Sequence, residues 1–457
     1  MTTQYHRYVV LLRQDDGRPP VELAVSTSQP HGQLWKPTSM LSVITWVTCF
    51  LLIVFLVFAA IFSSDSLINI INVEERSKTL PSTSQDRSTI SASASQDRTA
   101  SPPPNPASDV TKLIDFSVGN CNIWRGDWIP HPHEPPYTNT TCEYIQDAQN
   151  CMKLGRPDSD YLYWRWKPYD CELPLFDANA FLKIVAGKKW AFIGDSLARN
   201  NFQSLLCQLA QVEKPECAYT GWNVNCYFRC YNFTLAVVWA PFLIKYVNQA
   251  EDLGKSVDKL YLDVLDESWG PYLDNYDYIV LSAGHWFMRI AAYVVQNELV
   301  GCNQCPISLN VTNVGVGFAY RAVLRTVFDF LISLKYKGVV FFRTFSPDHF
   351  ENAPWNEGGN CTRTAPFKSD STALDYLSYF MYQMQLEEFG KTVQRSSEFS
   401  FKLKMVDTLH AALLRPDAHP GSYGRDNFNV HNDCMHWCLP GPVDAWSAMF
   451  LHVLKHL

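Results

Sequence analysis

An uncharged apolar segment near the N-terminus constrains this chain more than any other feature. Residues 41–62 read LSVITWVTCFLLIVFLVFAAIF, which is 22 residues without a charged side chain. As an α-helix, this length crosses a hydrocarbon layer of about 30 Å. A buried core helix is the alternative, but the segment is apolar on all faces and adjoins polar sequence. We therefore predict a single transmembrane helix over 41–62.

The sequence before this segment predicts its orientation. Some 40 residues precede it, which does not fit a cleaved signal peptide, so an uncleaved signal anchor is predicted. The N-terminal flank carries the basic residues Arg7, Arg13, Arg18 and Lys36. The positive-inside rule then favours a cytosolic tail over 1–40 and a single-pass type II protein with its C-terminal part in a lumen.

A stem follows the predicted anchor. The stretch 63–117 is rich in Ser, Thr, Gln and Pro, and the tetrad Ser-Gln-Asp-Arg begins at both Ser84 and Ser95. Such a composition cannot bury enough apolar surface to offset the loss of chain entropy. We expect 63–117 to be a disordered spacer that holds a folded domain away from the membrane.

Cysteines and glycosylation motifs indicate an oxidising compartment for the rest of the chain. Thirteen of the 14 cysteines follow the apolar segment. Four Asn-x-Thr acceptors lie there too, at Asn139, Asn232, Asn310 and Asn360. Zinc binding is the other common use of cysteines, but the pair Cys302 and Cys305 lacks a second pair at ligand spacing. We expect a disulfide-bonded lumenal glycoprotein without a metal site.

Composition argues against two classes of protein. With 14 Trp, 22 Tyr and 27 Phe, the chain has ample material for a core and is not globally disordered. Its net charge of −7 does not suit a protein that binds nucleic acid through bulk positive charge. We expect no nucleic-acid partner.

The folded part divides into two regions. Residues 118–187 contain Cys121, Cys142, Cys151 and Cys171 but little periodicity, which predicts a disulfide-tied lobe. Its interleaved Trp, Tyr and Arg residues could stack on sugar rings or simply form a small core. From 188 to 457, strand and helix patterns alternate, which favours an α/β fold with a parallel sheet covered by helices on both faces.

Individual elements of the second region follow from its apolar periodicity. Strands are predicted at 188–194, 276–283, 338–344 and 401–407. Helices are predicted at 196–210, 291–299, 320–336 and 373–395.

Two short motifs of this region could carry chemistry. Ser196 follows the first predicted strand at a helix N-terminus, where a nucleophile is exposed and backbone N–H groups can hold an oxyanion. A plain helix cap is the alternative. Near the C-terminus, Asp433 and His436 are spaced so that a carboxylate can orient a general base. A metal pair or unrelated surface residues would produce the same spacing.

Together these motifs match the signature of GDSL/SGNH-type hydrolases, and longer motifs resemble the plant trichome birefringence-like family. They are CNIWRGDW at 121–128, YWRWKP at 163–168, FIGDSLARN at 192–200, GHW at 284–286, RTFSPDHF at 343–350 and DCMHWCLPG at 433–441. The resemblance covers nearly all of 118–457. It implies an SGNH/GDSL-like catalytic domain over 188–457, in a Golgi type II membrane protein that O-acetylates cell-wall polysaccharides. The motifs at 168–174 and 301–305 resemble the branch that acts on xyloglucan and mannans.

The resemblance also implies roles for site residues. Ser196 is the nucleophile, His436 the general base and Asp433 its orienting partner, in a two-step acyl-enzyme mechanism. The co-substrates are an acetyl donor, for which acetyl-CoA is one candidate, and a hemicellulose acceptor, most simply xyloglucan; no bound cofactor is expected. The oxyanion or substrate contacts it suggests, beyond the Ser196 N–H, are Arg199, Asn200, Gly284, His285 and Arg343.

The family further suggests the disulfides Cys121–Cys171, Cys142–Cys207, Cys151–Cys438 and Cys361–Cys434. Cys302 and Cys305 could close a local loop, and one of the remaining lumenal cysteines would stay unpaired. Three other functions remain open. They are a mannan O-acetyltransferase, an O-acetyl esterase that uses the same triad with water, and a non-catalytic wall-polymer-binding protein.

Overall fold

A computed structural model describes Ile114, 116–253, 256–369, 372–424 and 432–457 of the chain. The predicted tail, the predicted span at 41–62 and nearly all of the predicted stem lie outside these residues. Within them, no helix is both long enough and apolar enough to cross a membrane. Ile114 is buried in the core although it belongs to the predicted stem, so packed structure begins before residue 118.

The described residues form thirteen strands and six α-helices. The strands are β1 (Gly126–Pro130), β2 (Trp164–Pro168), β3 (Lys189–Gly194), β4 (Glu216–Thr220), β5 (Asn223–Phe228), β6 (Phe233–Trp239), β7 (Ile244–Val247), β8 (Asp258–Leu265), β9 (Tyr278–Ser282), β10 (Ala291–Val295), β11 (Glu298–Asn303), β12 (Val339–Arg343) and β13 (Lys402–Val406). The helices are α1 (Ala178–Ile184), α2 (Ser196–Ala210), α3 (Gly315–Ser333), α4 (Tyr376–Gln394), α5 (Leu409–Leu413) and α6 (Asp444–Leu454).

The main sheet has seven strands in the order β13-β12-β9-β3-β6-β5-β4. The five from β13 to β6 are parallel, whereas β5 and β4 run antiparallel to their neighbours. The sheet is therefore mixed rather than parallel as predicted. Only Gly221 and Trp222 separate β4 from β5, and a two-residue turn can join antiparallel strands but not parallel ones.

Residues alternate across this sheet and bury two separate clusters. Trp190 and Phe192 of β3 pack in one cluster with α2 and α6, whereas Ala191 and Ile193 pack in the other with α3 and α4. Helices thus cover both faces, as predicted. The predicted strands at 188–194, 276–283, 338–344 and 401–407 correspond to β3, β9, β12 and β13, and three of the four predicted helices correspond to α2, α3 and α4.

The fourth predicted helix, at 291–299, is wrong. This segment forms β10 and the start of β11 in a four-stranded sheet of order β11-β10-β8-β7. Gln296 and Asn297 both have positive φ, 51° and 66°, and make the tight turn between the two strands. The run Ala291–Val295 is almost entirely buried, and a short buried strand cannot be told from a buried helix by periodicity alone.

In the N-terminal lobe, most of the large aromatic residues form core rather than an open surface. Trp124, Tyr161 and Trp166 are buried, and Trp166 Nε1 donates to the Ile123 carbonyl at 2.8 Å. Trp128 is buried as well and donates to the Ala411 carbonyl at 2.8 Å, which ties the lobe to α5. Of the two interpretations of these aromatics, the structure supports the core.

Disulfides connect the lobe with the α/β domain. The bonded pairs are Cys121–Cys171, Cys142–Cys207, Cys151–Cys438, Cys217–Cys226, Cys302–Cys305 and Cys361–Cys434. Cys230 is exposed and unpaired among the described residues. Of the four glycosylation acceptors, Asn232 and Asn310 are exposed, and Asn139 and Asn360 are partly exposed.

The Cys151–Cys438 bond allows a test of this cross-linking. Because it closes a very long loop, Cys438→Ser is expected to lower the free energy of unfolding by about 2–5 kcal/mol. Thermal melting under oxidising conditions measures the loss. Cys230→Ser is the matched control and should melt as the wild type does; equal melting of both variants would show that the bond contributes no stability.

A buried carboxyl at the start of α6 predicts pH-dependent stability. Asp444 accepts hydrogen bonds from Tyr137 Oη at 2.7 Å, Ser204 Oγ at 2.6 Å and the Gly441 N–H at 2.8 Å. Burial raises its pKa from 3.8 to about 6, although these hydrogen bonds oppose the rise. The folded state therefore holds a proton that the unfolded state releases. This stabilisation, about 3 kcal/mol, is complete below about pH 4 and is lost as the pH rises through about 6.

Asp444→Asn is expected to remove this pH dependence, because an amide does not titrate. Denaturant unfolding of the wild type and the variant between pH 4 and 7 measures the difference in unfolding free energy. That difference should change by a few kcal/mol across this range, with the wild type losing stability as the pH rises. A constant difference would show that the carboxyl titrates equally in both states.

Candidate active site

Ser196 lies where β3 meets α2, at the carboxyl edge of the parallel strands. Gly194 ends the strand with φ of 156°, and a Cβ at this position would lie 1.7 Å from the Ser282 carbonyl oxygen of β9. Only glycine fits this approach of two backbones. As the first residue of α2, Ser196 has a backbone N–H for which the helix offers no carbonyl four residues earlier.

Asp195 is the residue that caps α2. Its Oδ1 accepts the Leu197 N–H at 3.0 Å and its Oδ2 accepts the Gly284 N–H at 3.2 Å. Its own N–H donates to the Ser282 carbonyl at 3.2 Å, so it joins the start of α2 to the end of β9. The cap interpretation of this motif thus applies to Asp195, and the Ser196 hydroxyl is left to make a different contact.

That contact is with His436. Ser196 Oγ lies 2.7 Å from His436 Nε2, and His436 Nδ1 lies 2.9 Å from Asp433 Oδ2. Asp433 Oδ1 also accepts the backbone N–H groups of Met435 at 3.2 Å and His436 at 2.9 Å. Residues from opposite ends of the domain therefore form a continuous Ser-His-Asp array, whose side chains remain partly exposed.

The charges around the array allow the His436 imidazole to accept a proton and become a charged imidazolium. Burial works to raise the pKa of Asp433, but His436 and the backbone N–H groups outweigh it and lower this pKa to about 2. Burial works to lower the pKa of His436, but the Asp433 carboxylate outweighs it and raises this pKa above 6.5. A carboxylate that stays ionised can stabilise the imidazolium formed when His436 accepts a proton.

The segment that carries Asp433 and His436 is held at several points. Gly421 and Asp433 exchange two backbone hydrogen bonds of 2.8 and 3.0 Å, and the His436 carbonyl accepts from His419 Nδ1 at 2.7 Å. The disulfides of Cys434 and Cys438 flank the histidine. The base is therefore fixed relative to Ser196 from both sides.

The five further residues suggested as oxyanion or substrate contacts have other partners in the structure. Asn200 accepts the Trp437 N–H at 2.8 Å, and the Gly284 N–H is taken by Asp195. His285 donates from Nε2 to the Ser346 carbonyl at 2.7 Å. These three groups hold the loops around the triad.

The two arginines of that set differ in position. Arg343 is buried, donates to Ser282 Oγ and lies 4.8 Å from the ring centroid of Trp446. Arg199 lies one turn after Ser196 in α2, with its guanidinium carbon 4.7 Å from the ring centroids of both Trp222 and Trp239. Arg199 is thus the member of the set that adjoins exposed aromatic surface.

Sequence reasoning did not identify Trp222, Trp239 and Trp286 as neighbours of the site. They belong to the β4–β5 turn, the end of β6 and the short helical turn His285–Met288. No local pattern links positions so far apart in the chain, because only the strand order of the sheet brings them together. Within the described residues, no cluster of His, Cys, Asp or Glu is arranged to hold a metal ion.

The fold and this array define an α/β protein of the SGNH/GDSL-like class. The pattern of the GDSL/SGNH-like acyl-esterase family found in Pmr5 and Cas1p matches residues 173–453, and the PMR5 N-terminal domain matches 119–172. The first match covers more than half of the chain. The chain therefore belongs to this acyl-esterase family and, within it, to the trichome birefringence-like proteins.

Curated relatives agree with this assignment. Trichome birefringence-like protein 26 of Arabidopsis thaliana is 43% identical over 352 residues, which are 74% of this chain and 78% of the relative. Xyloglucan O-acetyltransferase 4 of Populus trichocarpa is 42% identical over 344 residues, 74% of this chain and 81% of the relative. Xyloglucan O-acetyltransferase 1 of the same plant is 39% identical over 352 residues, 74% and 81% of the two chains.

Proposed function

We propose that this protein is a polysaccharide O-acetyltransferase that acts on a xyloglucan-type hemicellulose. The observation that carries the proposal is the Ser196–His436–Asp433 array, with 2.7 Å between the hydroxyl oxygen and the imidazole nitrogen. The acceptor class is supported by the names of the two poplar relatives, each covered over 81% of its length.

In the first half-reaction, His436 Nε2 takes the proton of Ser196 Oγ as that oxygen attacks the acetyl carbonyl of the donor. The protonated His436 is stabilised by Asp433 and then gives its proton to the departing donor group. The product is an acetyl ester on Ser196. The N–H of Ser196, at the N-terminus of α2, is suited to stabilise the developing oxyanion.

In the second half-reaction, a sugar hydroxyl takes the place of the donor. His436 accepts the proton of this hydroxyl as its oxygen attacks the Ser196 ester, and the proton then returns to Ser196 Oγ as the ester bond breaks. The acetyl group ends on the sugar and the enzyme is regenerated. The proposed donor is an activated acetyl compound such as acetyl-CoA, and no bound cofactor is needed for proton balance.

An O-acetyl esterase is the second candidate function. It is favoured by the partial exposure of Ser196, Asp433 and His436, which leaves a route for water to the ester. The two functions share the first half-reaction and differ only in whether water or a sugar hydroxyl attacks. The close similarity to proteins named as O-acetyltransferases favours transfer.

The proposed location follows from the sequence. The predicted anchor at 41–62, the lumenal cysteines and the four glycosylation motifs fit a type II protein of the Golgi membrane. The proposed partners are accordingly the membrane, the acetyl donor and the hemicellulose acceptor.

The test uses the purified full-length chain in detergent, with acetyl-CoA and de-acetylated xyloglucan, mannan and xylan oligosaccharides. Mass spectrometry of the oligosaccharides measures transfer, and release of free acetate measures hydrolysis. We expect acetyl gain on xyloglucan oligosaccharides that exceeds free acetate. Preferential acetyl gain on mannan would show that the acceptor is a mannan. Release of acetate from acetylated oligosaccharides without any acetyl gain would favour the esterase.

A further inference from the structure

Three tryptophans and one arginine form a surface beside Ser196, here named the tryptophan platform: Trp222, Trp239, Trp286 and Arg199. The ring centroids of Trp222 and Trp239 are 5.8 Å apart, and those of Trp239 and Trp286 are 5.3 Å apart. The rings of Trp239 and Trp286 meet edge to face at 82°. The result is a continuous aromatic surface rather than three isolated side chains.

The fold presents this surface on rigid elements. Trp222 lies at the tip of the β4–β5 hairpin, whose strands are bridged by the disulfide of the paired residues Cys217 and Cys226. The Trp222 carbonyl accepts from Arg199 Nη2 at 3.2 Å, and the Trp239 N–H donates to Asn223 Oδ1 at 2.7 Å. The disulfide-bonded hairpin is thus hydrogen-bonded to α2, the helix that begins with Ser196.

The platform adjoins the reacting atoms. Trp239 of β6 pairs with Gly194 of the parallel strand β3, and Gly194 lies two residues before Ser196. Arg199 is three residues after Ser196 on α2, a spacing at which two side chains are neighbours on the helix surface. A ligand on the platform would therefore lie next to the Ser196 ester.

Two features of the platform are hard to explain by packing alone. Trp222 is 62% exposed, and its ring lies against the Arg199 guanidinium rather than in either core cluster. Arg199 is only 8% exposed, its Nε has no hydrogen-bond partner among the described residues, and no carboxylate there pairs with it. A buried cation without a carboxylate partner is costly, and the two indole rings and the Trp222 carbonyl offset this cost only in part.

We propose that the tryptophan platform binds the acceptor chain, with a neutral pyranose ring stacked on Trp222 and a ring hydroxyl facing Arg199. This inference rests on the proposed function, which it deepens by naming the acceptor subsite. A pyranose stacks through its axial C–H groups. A β-linked gluco-configured chain has all its ring substituents equatorial and therefore offers such a face on both sides.

A manno-configured chain would bind the platform less well. Its axial hydroxyl at position 2 replaces a C–H group on one face of each ring, and that face cannot lie flat on an indole. Because successive rings of a β-1,4-linked chain turn alternate faces to the same side, every second ring would present the hindered face. A mannan chain can therefore stack on Trp222 in only half of the registers that are open to a glucan chain, which predicts a modest preference for glucan-type acceptors.

The test measures binding separately from chemistry. Gluco- and manno-configured β-1,4-linked hexasaccharides are titrated into full-length Ser196→Ala in detergent, with calorimetry or tryptophan fluorescence as the readout. Adding Trp222→Ala is expected to weaken binding of the gluco chain by about tenfold, and Trp222→Phe should restore most of it. Tyr272→Ala is the matched control. Tyr272 is 56% exposed but precedes β9, so it lies at the amino ends of the parallel strands, whereas Ser196 lies at their carboxyl ends.

Kinetics complete the test in the active protein. Trp222→Ala should raise the acceptor KM by about tenfold and lower kcat much less. If Trp222→Ala changes neither the binding of the gluco chain nor the acceptor KM, the proposed acceptor subsite is wrong, even where acetyl transfer is observed. Binding that depends on Trp222 without any acetyl transfer supports the platform and counts against the proposed function.

Discussion

Replacing Ser196 by alanine is expected to lower acetyl transfer by about 10⁴-fold or more, to the background rate. Ser196 Oγ is the oxygen that lies 2.7 Å from His436 Nε2, and no other hydroxyl among the described residues contacts this nitrogen. Without it there is no oxygen to carry the acetyl group between donor and acceptor. The measurement is the initial rate of acetyl gain on a xyloglucan oligosaccharide.

Two further measurements separate this result from a folding defect. Ser196 is a partly exposed residue at the edge of the sheet, so the variant should melt near the wild-type temperature. Ser333→Ala, on the far end of α3, is the control and should retain full activity. The double variant Ser196→Ala/His436→Ala should be scarcely slower than Ser196→Ala, since losses within a catalytic unit are strongly non-additive.

The acyl-enzyme itself is also observable. When the acceptor is withheld and the donor is supplied, the peptide containing Ser196 should gain one acetyl group, and the same peptide in His436→Ala should gain far less. A well-folded Ser196→Ala variant that keeps a substantial fraction of the transfer rate would refute the two-step mechanism. Direct attack by the sugar hydroxyl, with His436 as base, would then be the simplest replacement.

The sequence predicted four of the seven strands of the main sheet and the helices α2, α3 and α4, because these segments are strongly patterned, but it did not predict β6 or the strands of the second sheet. It failed at 291–299, where a short apolar run fits strand and helix equally well, and at β4 and β5, where the two-residue turn was not recognised as a hairpin. In both places the conformation depends on which strand lies alongside, and this information is not local.

The site shows the same division between local and distant information. Ser196, Asp433 and His436 lie in two compact motifs; each motif alone left other interpretations open, and it was their combination and the family resemblance that selected these residues. The tryptophan platform draws its members from the β4–β5 turn, the end of β6 and the turn after β9. Asp195 was considered only as part of a helix-cap motif, although it also binds the Gly284 N–H and thereby joins two strands.

The second large effect is expected for Asp433→Asn, which should lower the transfer rate by about 10⁴-fold. The backbone N–H groups of Met435 and His436 donate to Asp433 Oδ1, so the amide oxygen of the variant should keep that position. The amide nitrogen then replaces Oδ2, which lies 2.9 Å from His436 Nδ1. An amide donates where a carboxylate accepts. His436 is therefore forced to carry its proton on Nε2, where it cannot accept the proton of Ser196.

This argument predicts an order of effects and a shift with pH. Asp433→Ala leaves the tautomer of His436 free, so it should be less damaging than the isosteric Asp433→Asn. In both variants the pKa of His436 should fall, because burial lowers it and the opposing carboxylate is gone. The residual activity should then reach its plateau at a lower pH than in the wild type, as measured by kcat/KM between pH 5 and 9. If Asp433→Asn were the milder variant, or if both profiles kept the wild-type midpoint, Asp433 would not set the tautomer and charge of the base.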